Sequence, residues 1–475
     1  QIFMASKGEL GLVFGAQWGD EGKGRIVDCL SNYDVYARFA GGDNAGHTVT
    51  VGNEIFKLHL TPSAITRPHS VVLIGRGVVV NPKTLVEEIN GLRERGIDIN
   101  PSGYLLDGKS RLITKAELLE DALWEASGGT FIGTTLRGIG PTYSLKMLRR
   151  GPVIDMIAGE HFDEISLRKH FEDRIPILKS LAQNRNVHRA LETLQDDIQK
   201  DPDNQSKQRA FDFLTAAVSF QPINIDAEID ALAEYGRFLY QYVGNTIYRA
   251  HHDYDKGKRL LAEGAQGTLI DIDYGTYPYV TSSHTGLAGF LESFGFAPET
   301  VERRLAVTKA FQTRVGSGPF PTELHDDTAR HLRGTGENPW DEYGTTTRRA
   351  RRVGWLDGVL LQYALEVNGA TEIALTKIDV LGGLDKVGIC TGYVKEGKVI
   401  AKLNRIDGDE LSGLNPENLI IEYLDGWPEM DRKNLSWETL HPNAQKYVNR
   451  VEEIAAYPVT MISYSPEREG IIFRK

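Results

Sequence analysis

The chain has 475 residues, 41% apolar and 25% charged, an ordinary globular composition that excludes a disordered, collagenous or disulfide-framework protein. Its 54 basic and 65 acidic residues leave a net charge of −11, which argues against a general nucleic-acid binder but leaves room for a small anionic ligand on local cations. No apolar run approaches the ~18 residues of a membrane helix, and with only Cys29 and Cys390 present the expected compartment is a reducing cytosol.

Residues 1–7 read as an N-terminal tail, in part left over from expression, and residues 8–475 as a single large domain. Leu10–Gly15 predicts a buried strand, followed by a glycine-rich turn and a helix through residues 26–30. Residues 35–40 form a second short strand, and 47–60 a hairpin turning at Gly52-Asn53. A strand at 71–74 precedes a helix over 82–95. The polar stretch 161–252 reads as a helical excursion with an exposed loop at 200–206 and no catalytic role. Strands recur at 259–262, 304–308, 372–376 and 459–463, while 404–418 reads as a surface connection. Short apolar strands alternating with helices predict an α/β fold. The expected architecture is a large, mostly parallel central sheet flanked by helices, with a phosphate-loop-like nucleotide site and helical and small β subdomains.

Four motifs carry chemistry. In Gly15-Ala16-Gln17-Trp18-Gly19-Asp20-Glu21-Gly22-Lys23-Gly24-Arg25, a glycine-rich turn between strand and helix can aim backbone N–H groups at phosphate, with Lys23 as a point charge. Gln17 replaces the first glycine of the usual phosphate loop, and Gly24 stands where a hydroxyl would hold magnesium. Asp20 is then the candidate oxygen for Mg2+, and a tight turn with exposed charges is the other reading. Gly41-Gly42-Asp43-Asn44-Ala45-Gly46-His47-Thr48 follows a strand and suits close ligand approach. There His47 is either a proton donor or a structural histidine. Thr376-Lys377-Ile378-Asp379 ends a strand, where a carboxylate can accept both N1–H and the N2 amine of guanine. Finally, Arg137, Arg149 and Arg150 flank one glycine loop, and Thr345-Thr346-Thr347-Arg348-Arg349-Ala350-Arg351-Arg352 sets hydroxyls beside guanidiniums. Such sets suit carboxylate or phosphate recognition, with a solvated basic loop as the alternative.

Together with Glu263-Gly264-Ala265-Gln266-Gly267-Thr268, 276–283 and 314–323, these motifs occur in one order along most of the chain and resemble the adenylosuccinate synthetase family. The resemblance implies a GTP-dependent ligase that joins L-aspartate to IMP through a 6-phosphoryl intermediate, in a cytoplasmic homodimer that needs Mg2+ and neither nucleic acid nor membrane. It implies Asp20, His47 and Gln266 as the catalytic set, and Asp20 with the Gly46 carbonyl as the Mg2+ ligands. GTP would meet Gly19, Asp20, Glu21, Gly22, Lys23, Gly24, Arg25, Gly46, His47, Thr48, Arg351, Lys377, Ile378, Asp379, Ser463, Tyr464 and Ser465. IMP would meet Asp20, Lys23, Asn44, Ala45, Gly46, His47, Thr135, Gln266, Thr281 and Arg349, with Arg149 supplied by the neighbouring subunit. Aspartate would meet Thr345, Thr346, Thr347, Arg348, Arg349 and Arg351.

The chain departs from the family pattern at Arg348, where glycine is usual, at Ala350, at Ser463-Tyr464-Ser465-Pro466, and in a longer helical segment over 183–213. A phage-type relative uses dGMP to make 2-aminoadenylosuccinate, but that group lacks the aspartate that Asp20 supplies here. A regulatory protein that had lost activity would be expected to lose Asp20, His47 or Gln266 first, and all three are intact. The non-standard phosphate loop counts against a generic GTPase.

Overall fold

In the computed structural model, which describes residues 7–52, 54–128, 134–200, 205–218, 223–343, 350–433 and 435–474, the wholly buried run Leu10–Gly15 lies inside a ten-stranded sheet. The spatial order is Ile471–Phe473, Val459–Ser463, Glu372–Thr376, Arg303–Lys309, Leu10–Gly15, Leu260–Glu263, Val35–Arg38, Val71–Ile74, Tyr104–Asp107, Val243–Gly244. Every neighbouring pair is parallel except the edge pair of Val459–Ser463 with Ile471–Phe473. Strands covered on both faces lose hydrophobic–polar alternation, which is why they read as short continuous apolar runs.

One face is covered by the helical excursion. Leu167, Phe171, Leu178, Leu232 and Leu239 share an apolar cluster with Ile26, Val72 and Leu106. Its helices Glu164–Ala182 and Ile225–Leu239 each start at an Asp or Asn whose side chain accepts a first-turn N–H, Asp163 and Asn224; the helix Thr246–Asp255, capped in the same way by Asn245, instead packs Ala250 and Tyr254 into the cluster on the other face. Arg185–Lys200 and Gln205–Val218 complete the layer. On the other face Phe14, Phe39, Phe290, Phe294, Leu361 and Val451 form the second cluster.

A smaller sheet of Phe311–Arg314, Arg352–Asp357, Lys386–Lys395 and Lys398–Ile400, with Leu419–Asp425 paired to Lys386–Lys395, stands beside the large one. The hairpin His47–Val51 and Glu54–Leu58 turns at Gly52, whose φ of +58° is the left-handed value such a turn requires. The strand expected over 35–40 stops at Arg38, whose guanidinium binds the Gly42 and His59 carbonyls and turns the chain into the glycine loop. The connection 404–418 is mostly exposed, but a short helix, Gly408–Ser412, buries Leu411. No helix among the described residues is long and apolar enough to cross a membrane.

Parallel strands that run the same way release their following loops on one edge of the sheet. Gly15, Arg38, Glu263, Lys309, Thr376 and Ser463 all end strands there. This carboxyl edge is where open α/β sheets bind ligands.

Candidate active site

The loops from that edge wall a cleft of ≈ 420 Å³. Its lining joins residues far apart in sequence: Gly19 to Arg25, Asn44 to Thr48, Thr135, Gln266, Thr281, Arg351, Lys377, Asp379, Ser463 and Ser465. Three of the predicted residues there, Asp20, Gln266 and Lys377, hold left-handed backbones at φ +58°, +56° and +59°. Such a conformation costs a non-glycine residue on the order of 1–3 kcal/mol and persists where surrounding structure enforces it, most often at functional sites.

The first loop differs from a simple phosphate cradle. Glu21 is fully buried and its carboxylate accepts the Gln17 N–H at 3.1 Å and the Gly19 N–H at 2.9 Å. Lys23 Nζ donates to the same carboxylate at 2.5 Å. Two N–H groups expected to face phosphate are therefore spent on shaping the loop, because an internal carboxylate takes the place of an anion. Gly15 is required beneath it, since an added Cβ would lie 2.5 Å from Glu21 Oε2 and 2.7 Å from the Gln266 carbonyl. Arg25 is also committed: it donates to Ser463 Oγ and to the carbonyls of Glu467 and Gly470 at 2.6 and 2.9 Å, tying the first loop to the last.

Asp20, one-third exposed, pairs through Oδ2 with Arg351 Nη2 at 2.8 Å. Burial alone would raise its pKa, but the charges of Arg351, Lys309 and Lys23 outweigh that and hold it below the ordinary carboxylate range. It is therefore ionised at neutral pH. Opposite, His47 Nδ1 meets Glu263, whose second oxygen accepts the Ser63 N–H at 2.7 Å. Burial pushes the His47 imidazole down, and Glu263 recovers only part of that. Gln266 Nε2 donates to Asn44 Oδ1 at 3.3 Å, while Gln266 Oε1 and Arg351 Nε are buried without a partner among the described residues. Both residues line the cleft, where a ligand or water can complete these atoms.

At the other end Asp379 pairs with Arg432 at 2.9 Å, and burial raises its carboxyl above the ordinary range. Donors from a bound ring would favour its charged form. Ser463 and Ser465 line this end, whereas Ile378 and Tyr464 turn into the core, so those two contribute no side chain to the cleft. Arg149 is exposed and is not among the residues lining its own cleft. Thr345, Thr346, Thr347, Arg348 and Arg349 lie outside the described residues, so the predicted amino-acid loop is represented by its stem, Tyr343 bridged to Ala350.

Sequence reasoning missed four residues that organise the cleft. Glu263 lay inside a quoted motif, directly at a strand end, and that position was the signal available. Arg314 is buried with four side-chain hydrogen bonds to the loops around it, two of them to the Tyr279 and Pro319 carbonyls at 3.1 and 2.7 Å. Lys309 and Glu342 form a buried ion pair that no local pattern announces.

For magnesium, the described residues contain no cluster of three His, Cys, Asp or Glu side chains able to hold a metal. The available donors are the Asp20 carboxylate and the Gly46 carbonyl, both on the cleft wall. One carboxylate plus substrate phosphates and waters is the usual protein share for Mg2+, so this sparse oxygen set fits.

A family model described as adenylosuccinate synthetase matches residues 12–472. The adenylosuccinate synthetases of Clostridium kluyveri and Myxococcus xanthus are 39% and 40% identical to the chain, covering 97% and 96% of it and 98% and 96% of their own lengths. The fully ligated adenylosuccinate synthetase of Plasmodium falciparum matches with a TM-score of 0.79 and 32% identity, over 98% of this chain and 100% of that one. A cyanophage S-2L succinoaminodeoxyadenylate synthetase, solved with dGMP and with dATP as an energy donor, matches at a TM-score of 0.58 and 16% identity, over 98% and 96%. That last likeness shows a shared fold.

Proposed function

The chain belongs to the adenylosuccinate synthetase family and ligates L-aspartate to IMP in AMP biosynthesis using GTP, and on that premise we propose how its residues divide the work. The observation that carries the assignment is Asp20, its carboxylate 2.8 Å from the Arg351 guanidinium, in the same cleft wall as His47 and Gln266. Asp20 takes the N1 proton of the hypoxanthine ring. The electron pair released strengthens O6 as a nucleophile, which forms a bond to the GTP γ-phosphorus as the bond to the GDP oxygen breaks. With Nδ1–H held by Glu263, His47 presents Nε2 to the phosphate side and donates there in its protonated form, which bound phosphate charge favours against the effect of burial, and the Gln266–Asn44 pair holds the purine edge. The amine of aspartate then attacks C6, the C6–O bond breaks, and phosphate leaves with that oxygen and with the proton the amine gives up. Such a reaction asks for positioning and charge neutralisation more than for a protein nucleophile.

Guanine is assigned to Asp379 and Lys377, with Ser463 and Ser465 beside them, and IMP to Asn44, Thr135, Thr281 and Gln266. Aspartate is assigned to the loop that Arg351 closes. Mg2+ would be held by Asp20 and the Gly46 carbonyl, where it supplies neutralisation of phosphate charge. Arg149 is assigned to the IMP phosphate of a second subunit in a homodimer, a reading supported by its exposure and its absence from its own cleft. The free thiols of Cys29 and Cys390 suit a cytoplasmic setting.

The test is an assay that needs GTP, IMP and aspartate together and follows the N6-substituted purine, with dGMP and other amino acids as controls. Asp20→Asn keeps the shape and removes the base, so kcat should fall by about 10²–10⁴ in a folded protein. Near wild-type turnover in that variant would overturn the assignment.

A further inference from the structure

We propose that Glu342 is a positioning residue that couples the guanine end of the cleft to the catalytic end, because its one buried carboxylate holds a cation from each. The proposal rests on the residue assignment above and deepens it. Glu342 is 1% exposed. Oε1 accepts from Lys377 Nζ and from Lys309 Nζ, the latter at 2.9 Å. Oε2 accepts from Lys309 Nζ at 3.0 Å and from Arg351 Nη1 at 2.7 Å. Arg351 passes the connection on, since its Nη2 lies 2.8 Å from Asp20 Oδ2. The path from the guanine lysine to the catalytic base is therefore Lys377, Glu342, Arg351, Asp20, all within hydrogen-bond distance.

The main chain reinforces this post. The Glu342 N–H donates to the Arg333 carbonyl at 2.8 Å, and its carbonyl accepts the Arg351 N–H at 2.9 Å. Lys309 anchors the carboxylate from below, being fully buried at the end of the strand Arg303–Lys309 with Thr313 Oγ1 as its other partner at 2.7 Å. Three cations packed around one carboxylate repel one another, and Glu342 is the one negative charge that all three touch, with Asp20 beyond it holding Arg351 alone. A purely structural ion pair would need one of them. Here Lys377 and Arg351 both line the cleft, so loss of the charge releases groups that touch different substrates.

The experiment is steady-state kinetics on Glu342→Gln, which keeps the shape and removes the charge. Because small misplacements of reacting groups are expensive, kcat should fall by roughly 10-fold or more and KM for GTP should rise by a similar factor, while KM for IMP moves by less than about 3-fold. Glu342→Asp, which restores the charge, should recover part of both losses. A drop in melting temperature with kcat and KM for GTP unchanged would reduce Glu342 to a structural role and overturn the proposal. Should Glu342→Gln fail to fold, Lys377→Ala carries the test. Coupling predicts that it lowers kcat at saturating GTP, whereas a rise in KM alone would overturn the idea. Asp20→Asn separates the two levels. If it is inactive while Glu342→Gln is normal, the coupling fails and the catalytic assignment stands; if Asp20→Asn is active, the assignment itself falls.

Discussion

His47 shows how a single residue's chemistry is set by partners the local sequence does not name. Its Nδ1 is engaged by Glu263, which fixes the ring and leaves Nε2 as the nitrogen available to the cleft. Glu263 is itself locked, accepting from the Ser63 N–H at 2.7 Å and from Ser63 Oγ at 2.5 Å, and those bonds with His47 hold its carboxyl below the ordinary range despite burial. Orienting carboxylates of this kind govern both tautomer and basicity. Glu263→Gln should therefore lower kcat by about 10–100-fold with KM for IMP nearly unchanged, a split that steady-state kinetics reads directly. Unchanged kcat would mean that His47 needs no orienting group. Asp20, His47, Gln266 and Asp379 were legible because each sits in a glycine-rich or strand-ending motif. Glu342 was not, since Asp341-Glu342-Tyr343 is an ordinary acidic stretch until the fold brings Lys309 and Lys377 against it.

Among the elements, the strands at 10–15, 71–74, 372–376 and 459–463 were readable to the residue, because burial on both faces demands uninterrupted apolar side chains. The small second sheet was not anticipated strand by strand, since Leu419–Asp425 is only partly buried and gives no continuous apolar run. It joins the helix Gly358–Val367 through Asp357, whose carboxylate accepts the Val359 and Leu360 N–H groups at 3.1 Å each and the Tyr393 hydroxyl at 2.7 Å. Removing that cap in Asp357→Ala should cost about 0.5–2 kcal/mol. Burial nonetheless pushes its pKa from 3.8 up to about 6. A folded-state pKa above the unfolded one means the native state binds the proton more tightly. The associated stability is then full below pH 3.8 and is lost as pH rises through about 6. Urea unfolding across this window should show wild type losing stability relative to Asp357→Asn as pH increases, with the difference constant above it. A wild type that gains stability relative to Asp357→Asn as pH rises would contradict the sign.

For the whole molecule, an apolar cluster joins the helical excursion to one face of the central sheet. The α/β class was readable from the alternation of elements. Which loops meet was not, because strand order places 303–309 and 260–263 on either side of 10–15 with no trace in local pattern. The proposed homodimer draws on the position of Arg149. Arg149 lies just past the helix Ile139–Met147 with φ +59°, beside Met147 and Leu148, which are 69% and 59% exposed. A strained, exposed arginine flanked by uncovered apolar side chains suits a two-fold contact in which each copy completes the other's cleft. Arg149→Leu and Asp20→Asn should each be nearly inactive alone. Mixed after subunit exchange, random pairing makes half of the dimers hybrid, and each hybrid holds one site with both lesions and one with neither. Activity should therefore recover to about a quarter of wild type. If each copy used its own Arg149, no site in the mixture would be intact, and activity would stay at the level of the parents even with exchange demonstrated by mass or fluorescence.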